Sequence, residues 1–210
     1  AISCLGNSPA ATNYNFVAGT PVNLTVAKKT LHVDADVQGI TYGGNAPTYT
    51  FTYRSGDFAN HEAFDSTSFT TKVATAPACT SGYTKGTTAY GDAKDYTITC
   101  SVAGTSATNY AFAVGNSNTL TVSKATLTVN ADAKSVTYGS TPALTATYTG
   151  FVNSETQTGT SFTSKVTTVP SCSTDYIQGT TTAGDAGSYT VTCSVAGTSA
   201  RNYTFTTGST

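Results

Sequence analysis

The octapeptide Cys100-Ser101-Val102-Ala103-Gly104-Thr105-Ser106-Ala107 recurs without change at 193–200, an offset of 93 positions. Upstream of each copy the residues alternate. Tyr96, Ile98, Cys100 and Val102 fall on one side, and Thr97, Thr99 and Ser101 on the other. The second copy sets Tyr189, Val191, Cys193 and Val195 against Thr190, Thr192 and Ser194. Alternation of period two marks a half-buried antiparallel strand. Its cysteine points inward in both copies, placed to staple the strand to something across a core.

Working outward, the identity widens into a repeat. Leu31-His32-Val33-Asp34-Ala35-Asp36 answers to Leu127-Thr128-Val129-Asn130-Ala131-Asp132, and Thr41-Tyr42-Gly43 to Thr137-Tyr138-Gly139. Pro47 answers to Pro142, Tyr53 to Tyr148, Asn60 and Glu62 to Asn153 and Glu155, and Lys72 to Lys165. Gly91-Asp92-Ala93 matches Gly184-Asp185-Ala186, and Asn109-Tyr110 matches Asn202-Tyr203. Residues 1–29 read as the C-terminal part of a preceding repeat, because Cys4, Asn13-Tyr14 and Leu24-Thr25-Val26 align with Cys100, Asn109-Tyr110 and Leu120-Thr121-Val122. Residues 30–124 form a full repeat. Residues 125–210 form a second that lacks its last Leu-Thr-Val strand. A window on a longer tandem array is the expectation.

The composition agrees with sheets. About a fifth of the 210 residues are Thr, and β-branched side chains suit a pleated, partly exposed surface. No helical stripe exceeds about two turns. The expected fold class is all-β or mainly β: tandem small domains, each with one disulfide. Within the second unit the expected strands are 126–131, 134–138, 143–149 and 161–168. Residues 151–155 would make a single helical turn. The net charge of −1 offers no electrostatic footprint for nucleic acid, and no apolar run reaches the ~18 residues of a membrane span. Met is absent, which fits a processed chain or a segment of a longer one.

The ordered elements Thr-Tyr-Gly, Pro-x-Leu-Thr-x-x-Tyr, Gly-Phe-Val-Asn-x-Glu, Gly-Asp-Ala-x-x-Tyr-x-Val-Thr, Asn-Tyr-x-Phe and Leu-Thr-Val-x-Lys-Ala resemble the MBG domain of the Tyr-Gly-x type. The resemblance runs over the whole chain as two and a fraction units. It implies tandem modules of secreted bacterial surface proteins, many of them adhesin-like, with a grasp-like or immunoglobulin-like fold. Two departures stand out. The family's common Asn-Gly-Asp turn is Asn153-Ser154-Glu155 here and Asn60-His61-Glu62 in the first unit. The cysteine pair is not a general feature of the family.

Cys79 and Cys100 lie 21 positions apart, as do Cys172 and Cys193. Identical spacing in both units predicts two intradomain disulfides and an oxidising, extracytoplasmic location. A metal site is the poorer reading, because each unit has two cysteines and no repeated His. His32 faces Thr128 across the repeat and His61 faces Ser154, so neither has the recurrence that a shared activity demands. No catalytic residue, metal ligand or cofactor is expected. The acids that repeat are Asp36/Asp132, Glu62/Glu155 and Asp92/Asp185. They suit either turn chemistry or calcium near a module junction. Lys72/Lys165 and Asn109/Asn202 also repeat. A Lys paired with an Asn beside a buried acid forms an isopeptide crosslink in other surface modules, although here disulfides already supply a covalent staple. Thr-x-Thr faces read as solvated, and Asn23 and Asn202 sit in N-glycosylation patterns.

Two functions from different classes follow. One is a structural module of a stiff stalk or extracellular filament, its partners being neighbouring repeats or subunits head-to-tail. The other is an adhesin module binding glycans or surface proteins by avidity. The tyrosines favour the first, since Tyr96, Tyr110, Tyr189 and Tyr203 fall on inward positions. Localisation is expected at the cell surface or outside the cell, without membrane insertion. The linkers Ala27-Lys28-Lys29 and Ser123-Lys124-Ala125 hold no Gly or Pro, which predicts stiffness. Cys4 is unpaired within these residues. It awaits either a cysteine of a preceding unit or, if Ala1 is a true N-terminus, none. In that second case Leu24, Thr25 and Val26 would be a donor strand for a neighbouring subunit.

Overall fold

The computed structural model describes residue 2, residues 13–14 and residues 17–208. The first unit runs through β1 (Lys29–Ala35), β2 (Gln38–Thr41), β3 (Phe51–Tyr53), a helical turn α1 (Thr67–Thr70), β4 (Val73–Thr75), β5 (Ala78–Ser81), β6 (Asp95–Ser101), β7 (Ser106–Ala107), β8 (Tyr110–Val114) and β9 (Asn118–Ser123). The second follows with β10 (Ala125–Ala131), β11 (Ala146–Thr149), α2 (Thr160–Thr163), β12 (Val166–Thr168), β13 (Ser171–Thr174), β14 (Val191–Ser194), β15 (Ser199–Ala200) and β16 (Tyr203–Thr207). The chain is mainly β, as its alternation requires.

Each unit is built around its Leu-x-Val strand. In the first, β1 lies between antiparallel β3 and parallel β8. In the second, β10 lies between antiparallel β11 and parallel β16. Leu31 and Val33 of β1 are fully buried, as is Leu127 of β10, with Val129 nearly so. A second sheet of the first unit has the order β2-β9-β6-β5. It contributes Ile98 and Leu120, both fully buried. Burying a Leu or Ile side chain is worth about 1.5–3 kcal/mol. Beside these strands, Phe69 of α1 meets Tyr53, Phe58 and Tyr110 edge-on. Phe162 of α2 meets Tyr148, Phe151 and Tyr203 in the same way.

Four expectations need correction. The cysteines staple neighbouring strands of one sheet, not strands facing each other across a core. Cys79 lies directly opposite Cys100 in the β5–β6 pair, and Cys172 opposite Cys193 in β13–β14. Residues 134–138 form no strand, because their counterpart β2 is held by the parallel partner β9 and residues 125–208 supply no such partner. Tyr189 accordingly stands outside any strand, ahead of β14, and is half-buried, whereas Tyr96 of β6 is buried. Third, residues 151–155 turn through the left-handed region at Asn153 (φ 54°) and Ser154 (φ 57°), not through a right-handed helix. The helical turn lies at 160–163, overlapping the start of the strand expected at 161–168, and buries Phe162; the strand itself is confined to 166–168. Finally, the strand expected at 143–149 is confined to 146–149.

Leu24 and Val26 are exposed, and 23–28 form no strand. The donor-strand residues Leu24, Thr25 and Val26 are therefore uncovered in this structure. Cys4 lies outside the described residues.

Candidate functional site

The repeated polar residues meet where the two units join. Only Lys124 separates β9 from β10, so the chain passes between units almost without leaving a strand. The Lys124 ammonium donates to the Ala200 carbonyl at 2.7 Å, the last residue of the second hallmark octapeptide. Lys28 repeats this on the Ala107 carbonyl at 2.7 Å.

Tyr42 follows β2 and is anchored where its N–H donates to the Ser123 carbonyl at 2.7 Å. Its ring is buried edge-on against Tyr203, centroids 5.4 Å apart. Both hydroxyls donate to one oxygen of the buried Glu155 carboxylate, Tyr42 at 3.1 Å and Tyr203 at 2.6 Å. Burial raises the Tyr42 and Tyr203 hydroxyls above the ordinary tyrosine range, with the Glu155 carboxylate adding to the effect. Gly43 follows with φ 86° and packs on Val152; a Cβ there would stand 2.6 Å from the Val152 side chain. Glycine meets both demands, the left-handed backbone and the close approach.

Asp92 is the centre of the junction. Tyr96, on β6, fixes the loop that carries it by donating to the Asp92 carbonyl at 2.9 Å. The Asp92 carboxylate is 3% exposed, and three donors of the second unit converge on it. Lys165 Nζ reaches Oδ1 at 2.6 Å, Asn202 Nδ2 reaches the same oxygen at 2.9 Å, and Arg201 reaches Oδ2 at 3.1 Å. Burial alone would raise its pKa. The hydrogen bonds from Lys165, Asn202 and Arg201 outweigh that and hold the carboxyl below the usual range. The Ala93 N–H donates to Asn202 Oδ1 at 2.9 Å. Lys165 also donates to the Thr87 carbonyl at 2.6 Å, and Asn153 to the Gly86 carbonyl at 3.1 Å.

Each half of this junction has a second copy in the chain. Glu62 accepts from Tyr110 at 2.7 Å, as Glu155 does from Tyr203, and lies 3.8 Å from Lys72. The Asn109 side chain is exposed there, whereas Asn202 is buried. Tyr138 and Asp185 reproduce the Tyr42 and Asp92 side, with Tyr138 exposed. Sequence reasoning noticed the recurrence of Asp92, Glu155, Lys165 and Asn202 but not their meeting. The signal was present as polar residues kept in both units of a sheet protein where alternation did not require them.

Of the remaining candidates, His32 pairs with Asp57 through Nδ1 at 2.7 Å and so is not isolated. Among the described residues no group of three or more His, Cys, Asp or Glu is placed to hold a metal ion. No helix among them is long and apolar enough to cross a membrane.

Compared with known proteins, the chain has no match among curated sequences or solved structures. Residues 127–209, nearly the whole second unit and the half of the junction that holds Glu155, Lys165 and Asn202, match the model of the MBG domain (YGX type).

Proposed function

We propose that the chain is a run of structural modules of a secreted bacterial surface protein, building a stiff stalk or filament outside the cell. The junction carries this proposal. A one-residue connection between strands, a buried carboxylate held by three donors and a paired Tyr42–Tyr203 contact leave little freedom between units. The same donor and acceptor sets stand at the outer ends of both units, which suits repetition of one joint along an array. One disulfide per unit fits an oxidising surrounding. The partners proposed are neighbouring repeats, and the role is mechanical, not enzymatic. Small-angle scattering tests it. The expected result is a radius of gyration well above the ~17 Å of a globular chain of this length. A value near that figure would overturn the rod.

A further inference from the structure

We infer that Lys165 and Asn202 form an intramolecular isopeptide bond, with Asp92 of the neighbouring unit as the proton shuttle. Three features of the junction converge on this chemistry. Lys165 Nζ and Asn202 Nδ2 both sit on the single oxygen Oδ1 of Asp92, at 2.6 and 2.9 Å, so one atom touches the nucleophile and the leaving group. The carbonyl of the Asn202 amide already accepts the Ala93 N–H at 2.9 Å, which polarises it and serves a developing oxyanion. Lys165, Asn202 and Glu155 line one narrow cavity against Phe162 and Tyr203, without room for a water molecule. Excluding water favours attack by the amine over hydrolysis of the amide.

The step balances within the site. From the resting ion pair, in which Asp92 is the carboxylate, a transient and uphill transfer over 2.6 Å moves one proton from the Lys165 ammonium to Asp92, and the freed amine attacks Asn202 Cγ. Asp92 returns that proton to Nδ2, and the Cγ–Nδ2 bond breaks. The departing ammonia carries off the next Nζ proton as ammonium. Nζ is left as an amide N–H bonded to Cγ, and Asp92 ends as the carboxylate it began as. No oxidant, cofactor or metal enters. The reaction happens once per chain, with reactants held in place by the fold.

The first unit provides an internal comparison. Lys72, Asn109 and Glu62 occupy the equivalent positions. Lys72 is 43% exposed there, Asn109 is exposed, and among the described residues no aspartate spans the pair. The bond is therefore set by docking of the preceding unit, and this copy stays unreacted. The crosslink would tie the start of β12 to the start of β16 and make the junction face of the second unit resistant to pulling.

Intact mass of the whole chain, with both disulfides counted, tests the proposal. The expected mass is lighter than the sequence by one ammonia, and digestion yields a branched peptide joining Lys165 to Asn202. Lys165→Arg and Asp92→Asn should each retain the ammonia. A chain of full mass with only linear peptides overturns the proposal. So does an ammonia deficit that survives in Lys165→Arg, because that is an Asn202 succinimide and no crosslink. A bond that still forms in Asp92→Asn removes Asp92 from the mechanism. The branched peptide from the unsubstituted chain keeps the test independent of whether any variant folds.

Discussion

At the residue scale, Asp92 shows how a buried charge is made tolerable. An isolated carboxylate out of water is costly, and three donors from the next unit offset that cost. Compared within the Lys165→Arg background, which cannot crosslink and keeps a cation at that position, Asp92→Ala should destabilise the chain by about 2–3 kcal/mol in denaturant unfolding. That is below the ~3–5 kcal/mol of a fully buried pair, since Arg201 is 61% exposed and keeps its solvation. The pH dependence has a definite sign. The folded-state pKa is lowered, so the contribution is present above the unfolded-state carboxylate value and is lost as pH falls through the folded one. In that background the Asp92→Ala variant should therefore lose part of the acid sensitivity of the chain that keeps Asp92, measured as midpoint against pH. Parallel curves for the two would exclude Asp92 as a contributor.

At the element scale, one motif has two fates. Leu120-Thr121-Val122 lies in β9 between β2 and β6, with Leu120 fully buried. Leu24-Thr25-Val26 is the same tripeptide, but Leu24 is 66% exposed. Period-two alternation states which face a side chain takes if a sheet covers it. It does not state whether the covering sheet is there. Leu120→Ala should cost about 2–5 kcal/mol by loss of burial and creation of a cavity. Leu24→Ala should stay within about 0.5 kcal/mol, as surface changes do. Equal effects of the two substitutions in thermal unfolding would contradict the placement of β9.

At the scale of the whole molecule, the junction couples two cores that each have their own aromatic cluster. Neighbour-coupled modules unfold together when the interface term is large and separately when it is removed. Calorimetry should show a single transition for the parent chain. It should show two for a variant carrying Tyr42→Ala with Asp92→Ala, because the Glu155 and Lys165 contacts are lost together. Two transitions in the parent would mean that the interface is weak and the proposed stiffness absent.

Much of this protein was legible in its residues. Alternation around Ile98 and Val191 marked the hallmark strands, and the equal spacing of Cys79–Cys100 and Cys172–Cys193 foretold both disulfides. These are local or repeated features, and a one-dimensional pattern carries them. The left-handed turn at Asn153-Ser154 was hidden, because a short apolar run before a polar turn fits either hand. The cross-strand position of the cysteines was hidden too, since spacing names partners but not the sheet they share. The junction was the largest loss. Tyr42 finds Glu155 at a separation of 113 residues, and Ala93 finds Asn202 at 109. The recurrence of those side chains in both units was written in the sequence. Only the docking of one unit on the next decided that they would converge on two buried carboxylates, Asp92 and Glu155, because those contacts depend on the angle at which β9 hands the chain to β10, and no local pattern encodes an angle.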